Sequence, residues 1–284
     1  TIKGGSAFTL LNTGISVSAL ADSFSGVMLD GTKWTNVSSG GTVSVNNAAK
    51  FTVPNTGGLA AIRSVNTWTT FDVAAAFNYT NTVSQLYPTV NITHFKMSAR
   101  IDATNYFSVE HVWDSTIGDA VRTSVTTSGI TTILTTSSVK SSARYLRLVR
   151  YGGRILAYSG TTLLNDFRGW RSETVAFELS TTCVSSPLDL LTNVTAFTPR
   201  VLVTFGNEIC ESATETVSRI IGLTPSSVLP GIVNVIAHGN NSLKDLGATF
   251  EYIAPLQLTL TNGLVVSNDD TLRDSTANLK GFRL

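Results

Sequence analysis

Apolar and polar positions alternate over short stretches in the middle of the chain, and turn residues separate these stretches. Residues 98–113 place two apolar stretches on either side of the turn sequence DATN. Residues 144–158 place two more on either side of Gly152-Gly153. Glycine tolerates the positive φ angles that tight hairpin turns require. Both segments therefore predict antiparallel β-hairpins.

The same alternation continues on both sides of these hairpins. Strands are predicted within residues 42–53 around an Asn-Asn turn, twice within 59–73, within 123–136 around Gly129, and at 174–179 and 200–205. Strands that recur every 8–12 residues or so, with turn signals between them, indicate a β-sandwich or barrel. The sequence therefore predicts an all-β protein.

Two short segments near the C-terminus carry helix signals. In residues 212–221, Ser212 and Glu215 have the spacing of a capping box, and Gly222 and Pro225 follow as stop signals. Residues 241–246 form a second short candidate that also stops at a glycine. We therefore expect one short helix in this region.

Composition and patterning divide the chain into three parts. Residues 1–21 are predicted to be an N-terminal arm, 22–206 the sandwich, and 207–284 a C-terminal extension or small subdomain. The last part contains the sequence LQLTLTNGLVV, a strong hairpin signal. The alternative is that its strands complete the same sandwich.

Charge and hydropathy exclude several classes of protein. Only 14% of residues are charged and the net charge is +1, whereas nucleic-acid binding needs a dense basic surface. No run of 18 apolar residues occurs, so we expect no membrane insertion. Cys183 and Cys210 allow one disulfide or two buried free thiols, and the sequence leaves both open.

Tryptophans are the clearest candidates for chemistry. Trp34 and Trp68 lie within strand patterns and are predicted to be in the core. The predicted carbohydrate-binding residues are two tryptophans, whose rings suit the apolar face of a sugar, with two neighbouring arginines. They are Trp170, Arg168, Arg171 and Trp113. His94, His111 and His238 have no partner at metal-ligand spacing, so we expect no metal and no cofactor.

Residues 22–205 resemble the concanavalin A-like lectin/glucanase superfamily, including its laminin-G-like members. The segments DSFSG, LDGTKW, ARIDATNYFSVEHVW and RYLRLVRYGGRILAYSG carry the resemblance. It implies an antiparallel jelly-roll β-sandwich. It leaves the activity open, because proteins of this superfamily bind sugars, cleave sugars or build surfaces.

The catalytic pattern of the glucanases is incomplete in this chain. Their strand carries E-x-D-x-E, and the nearest match has Glu110 and Asp114 with Val112 in the middle position. Four residues of extended strand separate the two acids by roughly 13 Å, too far for a retaining pair. We therefore expect no catalytic residues and no enzymatic activity.

Three functions follow as hypotheses. The first is a virion structural or adhesion protein of a tailed bacteriophage, either a capsid decoration or spike protein or a tail protein. It would self-associate and dock on other virion proteins through the arm residues Phe8, Leu10, Leu11, Ile15 and Val17. The alternative is a secreted, lectin-like module that binds a cell-surface glycan. A glycoside hydrolase or lyase is the third and least favoured hypothesis.

Overall fold

A computed structural model of the protein describes most of the chain up to residue 267. The described residues are 5, 7–11, 20–79, 92–138, 144–170, 172–184, 189–210, 214–215, 219–225, 230–238, 243–252, 257–259 and 265–267. Within them the regular structure is almost entirely β, which confirms the predicted fold class.

The strands fall into two groups, those of the sandwich and those outside it. In chain order they are β1 (Ala7–Leu11), β2 (Trp34–Asn36), β3 (Thr42–Val45), β4 (Ala49–Val53), β5 (Gly58–Ser64), β6 (Phe71–Tyr79), β7 (Ile92–Arg100), β8 (Tyr106–Asp114), β9 (Gly118–Thr127), β10 (Ile130–Ser137), β11 (Tyr145–Tyr151), β12 (Arg154–Ser159), β13 (Thr162–Arg168), β14 (Ala176–Cys183), β15 (Leu190–Arg200), β16 (Leu202–Phe205), β17 (Glu208–Cys210), β18 (Thr214–Glu215), β19 (Arg219–Leu223), β20 (Gly231–His238), β21 (Leu243–Tyr252), β22 (Gln257–Thr259) and β23 (Val265–Ser267).

Two seven-stranded antiparallel sheets form the sandwich. The front sheet has the order β10-β9-β8-β7-β14-β5-β2, and the back sheet has the order β13-β12-β11-β6-β15-β4-β3. A four-stranded sheet, β17-β16-β20-β21, follows in the chain, and β1 joins β19 and β18 in a small sheet. Strands β22 and β23 pair with each other, as the LQLTLTNGLVV pattern predicts.

The core lies between the front and back sheets. Along β8, Phe107 and Val109 point into it, and the intervening Ser108 and Glu110 point to the other face. Trp34 and Trp68 are both buried in this core, as predicted. Alternation along each strand thus separates an apolar interior from a polar outer face.

The predicted hairpins are present. Strands β7 and β8 pair around the DATN turn, where the Asp102 carboxylate accepts hydrogen bonds from the backbone N–H groups of Thr104 and Asn105. Strands β11 and β12 pair around Gly152, whose φ is 57°. Strands β9 and β10 pair around Ser128 and Gly129, both with positive φ.

The helix prediction is wrong at the described residues. Thr214–Glu215 and Arg219–Leu223 are strands, and β19 pairs along its whole length with β1. The second candidate fails in the same way, because β21 begins at Leu243. Pairing with distant strands outweighs a local capping signal, particularly where β-branched residues such as Ile220 and Ile221 are present.

The outer face of the back sheet is covered by the four-stranded sheet. Leu202 and Ile209 pack there against Val149, Leu156 and Tyr158, all of them buried. The two cysteines, Cys183 and Cys210, are buried free thiols with no disulfide between them. No helix among the described residues is long and apolar enough to cross a membrane.

Candidate functional site

The outer face of the front sheet, called here the front face, carries a dense set of polar side chains. Strand register places its members side by side across five neighbouring strands. They are Arg63, Lys96, Ser98, Arg100, Tyr106, Ser108, Glu110, Asp114, Arg122, Ser124 and Glu178. Most of these polar residues are buried or half-buried, because their neighbours on the same face enclose them.

A cleft of about 190 Å³ opens where β7, β8 and β14 end. Its lining combines one large aromatic side chain with hydroxyl groups and a guanidinium. The lining residues are Ile92, Thr93, Val112, Trp113, Arg122, Thr182, Cys183 and Val184. An apolar wall with a few polar groups is the usual composition of a small-molecule site.

Trp113 is the one tryptophan among the residues that line this cleft. The indole is half-buried and packs against the core of the sandwich. Gly118 lies beneath it, and a Cβ added to this glycine would come within 3.3 Å of the six-membered ring. The core residues and Gly118 therefore hold the ring in place.

Arg122 brings two carboxylates together at the edge of the cleft. Its Nη2 lies 3.1 Å from Asp114 Oδ2, and its Nε lies 3.8 Å from Glu110 Oε1. Because both acids contact one planar guanidinium, their oxygens lie less than about 10 Å apart. The spacing of roughly 13 Å along the strand is a distance between backbone positions. The carboxylate oxygens of Glu110 and Asp114 lie closer together than that, because both side chains turn towards Arg122.

A second charged cluster lies further along the front face. Glu178 is buried and accepts hydrogen bonds from Arg63 Nη2 at 2.6 Å and from Arg100 Nη1 at 3.1 Å. Arg100 also lies over the ring of Tyr106, with its Cζ 4.1 Å from the centroid. Lys96 Nζ lies 4.9 Å from the same centroid.

The phenol of Tyr106 is consequently in a cationic environment. Burial raises its pKa, but hydrogen bonds with Thr126 and Thr131 lower it. The charges of Lys96 and Arg100 lower it further, and the net pKa falls below that of an ordinary tyrosine.

The structure separates the residues that the sequence groups as one carbohydrate site. Trp170 packs against Phe167 with ring centroids 5.6 Å apart, and Phe167 stacks on Phe107 at 5.4 Å. Trp113 lies six residues from Phe107 on the same strand, or roughly 20 Å. Trp113 and Trp170 therefore lie towards opposite ends of the sandwich.

The immediate surroundings of Trp170 are structural. Trp170 has a φ of 47°, and its backbone carbonyl accepts a hydrogen bond from the buried Arg150. Arg168 is 76% exposed at the edge strand β13 and lies 3.7 Å from Asp166. Arg171 lies outside the described residues.

The predicted assembly residues are only partly described. Phe8, Leu10 and Leu11 lie on β1, and the backbone of β1 pairs with β19 of the same chain. Ile15 and Val17 lie outside the described residues. Their role in docking stays a prediction.

Sequence reasoning finds Trp113 and misses most of the front face. Lys96, Ser98 and Arg100 alternate with apolar residues in the sequence FKMSAR, and this alternation is a visible signal of one polar face. Arg122 carries no such signal, because its partners lie on another strand. Among the described residues, no group of three or more His, Cys, Asp or Glu side chains is placed to hold a metal.

Comparison with known proteins identifies the fold. No family model matches the chain, and no curated protein matches it. A GH16 protein of a mixed-linkage glucan locus from Bacteroides ovatus, solved with a G4G4G3G product, is 10% identical, with a TM-score of 0.50. The match covers 63% of this chain and 99% of that one. With the sheet topology, this likeness shows a concanavalin A-like jelly-roll sandwich.

Two further structures resemble the chain less closely. The carbohydrate-binding module CBM66 from Bacillus subtilis is 16% identical, with a TM-score of 0.41, over 61% of this chain and 100% of that one. The GH43 protein BlXynB from Bacillus licheniformis is 11% identical, with a TM-score of 0.47, over 64% of this chain. The chain spans only 39% of the length of BlXynB.

The expectation that the protein is not an enzyme is corrected by these comparisons. The GH16 protein, whose fold this chain shares, was solved with a glucan product, so the fold does not support that expectation. The expectation depended on the spacing between Glu110 and Asp114, and the shared contact with Arg122 removes that argument. None of the three structures described above is a virion protein.

Proposed function

We propose that the protein binds a carbohydrate in the cleft at the end of the front sheet. The observation that carries the proposal is the composition of this cleft. Trp113 and Arg122 both line it, and Arg122 also contacts the Glu110 and Asp114 carboxylates.

The chemistry of a sugar fits these groups. A pyranose ring has an apolar face of C–H groups that stacks on an indole, and its hydroxyls both donate and accept hydrogen bonds. Arg122 supplies donors, and Glu110 and Asp114 supply acceptors. The Thr93 and Thr182 hydroxyls supply further acceptors, because they already donate to Glu110 Oε2 and to the Gly58 carbonyl. The jelly-roll fold, which is shared with a GH16 protein that holds a glucan product, supports the same function.

Binding to a panel of soluble polysaccharides, measured by calorimetry, tests the proposal. We expect W113A to weaken binding at least about tenfold, a loss of roughly 1.4 kcal/mol. We expect R168A to leave binding unchanged, because Arg168 lies near the other end of the sandwich. Near-UV circular dichroism of both variants checks that the fold is retained.

The opposite pattern, a loss of binding in R168A and none in W113A, would move the site to Trp170. D114N provides a second test of the cleft that leaves the core packing of Trp113 untouched. Wild-type protein that binds none of the polysaccharides would overturn the proposed function.

Hydrolysis of the bound glycan is a second candidate function. The observation that favours it is the convergence of Glu110 and Asp114 on one guanidinium, since glycoside hydrolysis uses two carboxyl groups within about 10 Å. Incubation with each bound polysaccharide, followed by a reducing-end assay, tests this. We expect the wild type to release reducing ends and both E110Q and D114N to release none. If the wild type releases none, the protein binds the glycan without hydrolysing it.

The virion role predicted from composition is not favoured by any observation of the cleft. It stays a prediction, as do self-association and a virion or extracellular location. Mass spectrometry of purified virus particles is the measurement that checks it.

A further inference from the structure

The front face holds a lysine that lies outside the ion pairs of the described residues. Arg63 and Arg100 share the Glu178 carboxylate, and Arg122 is paired with Glu110 and Asp114. Lys96 forms no ion pair with any described residue, and its ammonium lies over the Tyr106 ring instead. The positive charge of Lys96 is therefore available to a ligand.

Buried donors without acceptors lie next to this ammonium. Ser98 occupies the position between Lys96 and Arg100 on the same face of β7, and its side chain is fully buried. Its hydroxyl has no hydrogen-bond partner in the structure. The Nε atom of Arg100 is likewise buried without a hydrogen-bond partner.

Such a group of donors is costly to leave unpaired. A buried polar atom without a partner destabilises a protein because it has lost its bonds to water. Here one hydroxyl and one guanidinium nitrogen lie on the same face as the Lys96 ammonium. An acceptor that carries negative charge would pair with the Lys96 ammonium on this face.

We propose that Lys96, Ser98 and Arg100 form a subsite for an acidic sugar residue, which binds through a carboxylate or a sulfate group. This inference rests on the proposed function, since it names the class of glycan that the cleft takes. Register places Lys96 directly opposite Glu110, whose carboxylate contacts Arg122 at the cleft. Lys96 is thus one strand spacing, about 5 Å, from Glu110 on β8.

The two sources of negative charge are separated by the choice of polymer. Polygalacturonate carries carboxylates, dextran sulfate carries sulfates, and mixed-linkage β-glucan is neutral. We expect one of the two anionic polymers to bind at least tenfold more tightly than the neutral one at low salt. The difference should shrink in 0.5 M NaCl, because salt screens the attraction.

Three variants test the role of the named residues. We expect K96Q to reduce affinity for the preferred anionic polymer by about fivefold or more and to leave binding of the neutral polymer unchanged. K50Q is the matched control, because Lys50 is exposed on β4 of the back sheet. S98A should weaken anionic binding without lowering the melting temperature, since the hydroxyl makes no bond within the protein.

The outcomes distinguish this inference from the proposed function. Tight binding of the neutral polymer, with K96Q and S98A equal to wild type on every polymer, would overturn the acidic subsite and leave the cleft intact. Equal losses in K96Q and K50Q would also overturn it, since a general charge effect would then explain the binding. Failure of all three polymers to bind would count against both proposals.

Discussion

At the scale of single residues, the ion pair between Arg147 and Asp72 shows how this fold tolerates charge inside. Both side chains are buried, and Arg147 donates from Nε and Nη2 to the two carboxylate oxygens at 2.7 and 2.6 Å. Burial alone would lower the pKa of Arg147, but the hydrogen bonds and charge of Asp72 raise it by more. The guanidinium also faces the Tyr158 ring at 5.1 Å.

Removing one partner of this pair should be more damaging than removing both. We expect D72N to lower the free energy of unfolding by about 3–5 kcal/mol, because it leaves a buried guanidinium without its counter-ion. The double variant D72N/R147M should lose less, since no uncompensated charge remains. Urea denaturation of the three proteins measures the difference, and a double variant no more stable than D72N would contradict this explanation.

At the scale of elements, hairpins can be predicted from this sequence and the sheet order cannot. Each predicted hairpin has its turn and both strands within about 20 residues of chain, so the pattern contains the whole element. The pairing of β14 with β5 joins Glu178 to Arg63 across 115 residues, and no local pattern encodes it. The failed helix prediction at residues 212–221 has the same cause, because Arg219, Ile220 and Ile221 pair with the distant β1.

The contact between the ends of β5 and β14 gives a test at this scale. Gly57 has a φ of 94°, and a Cβ added there would lie 1.9 Å from the carbonyl oxygen of Val184. We expect G57A to destabilise the protein by at least about 3 kcal/mol, since the backbone must move as well as adopt a disfavoured φ.

Gly152 provides the matched control for this substitution. Its φ is 57°, but a Cβ there meets nothing within 4 Å. G152A should therefore cost only the backbone strain, about 1–2 kcal/mol. Thermal unfolding of both variants measures the two effects, and equal losses would show that the contact with Val184 is not limiting.

At the scale of the whole molecule, three buried histidines link stability to pH. Burial lowers the pKa of His94 to about 3 and those of His111 and His238 to about 4, and the charge of Arg144 adds to the effect at the first two. The ring of His94 also stacks on Tyr79 at 4.0 Å. The folded protein therefore keeps all three rings neutral at pH values where the unfolded chain protonates them.

The direction of the pH effect follows from these values. Unfolded histidine takes up a proton near pH 6.5, so stability is complete above that pH and falls as the pH drops towards 4. We expect the melting temperature to fall by about 10 °C between pH 7 and pH 5. H94F, which keeps an aromatic ring on Tyr79, should show a smaller fall, and a melting temperature independent of pH would contradict the assignment.

The candidate site is predictable from sequence only in part, and the reason is again distance along the chain. Trp113 is identifiable as an aromatic residue at a strand end, and the alternation at Lys96, Ser98 and Arg100 is visible in one strand. The cleft itself also needs Thr182 from β14, and only the assembled front sheet brings these residues together. A sequence pattern within one strand therefore identifies single side chains, but it does not identify the cleft that several strands form together.

The central positions of β14 and β15 have a consequence for how the protein is made. Each lies between strands that precede it by many residues, β7 and β5 in one sheet and β6 and β4 in the other. Until a nascent chain has emerged past Arg200, at least one sheet lacks a central strand. The strands on either side of the missing one then have unpaired edges. Such edges invite pairing between chains, so synthesis of the last sandwich strands is the step at which chaperones would matter most for this protein.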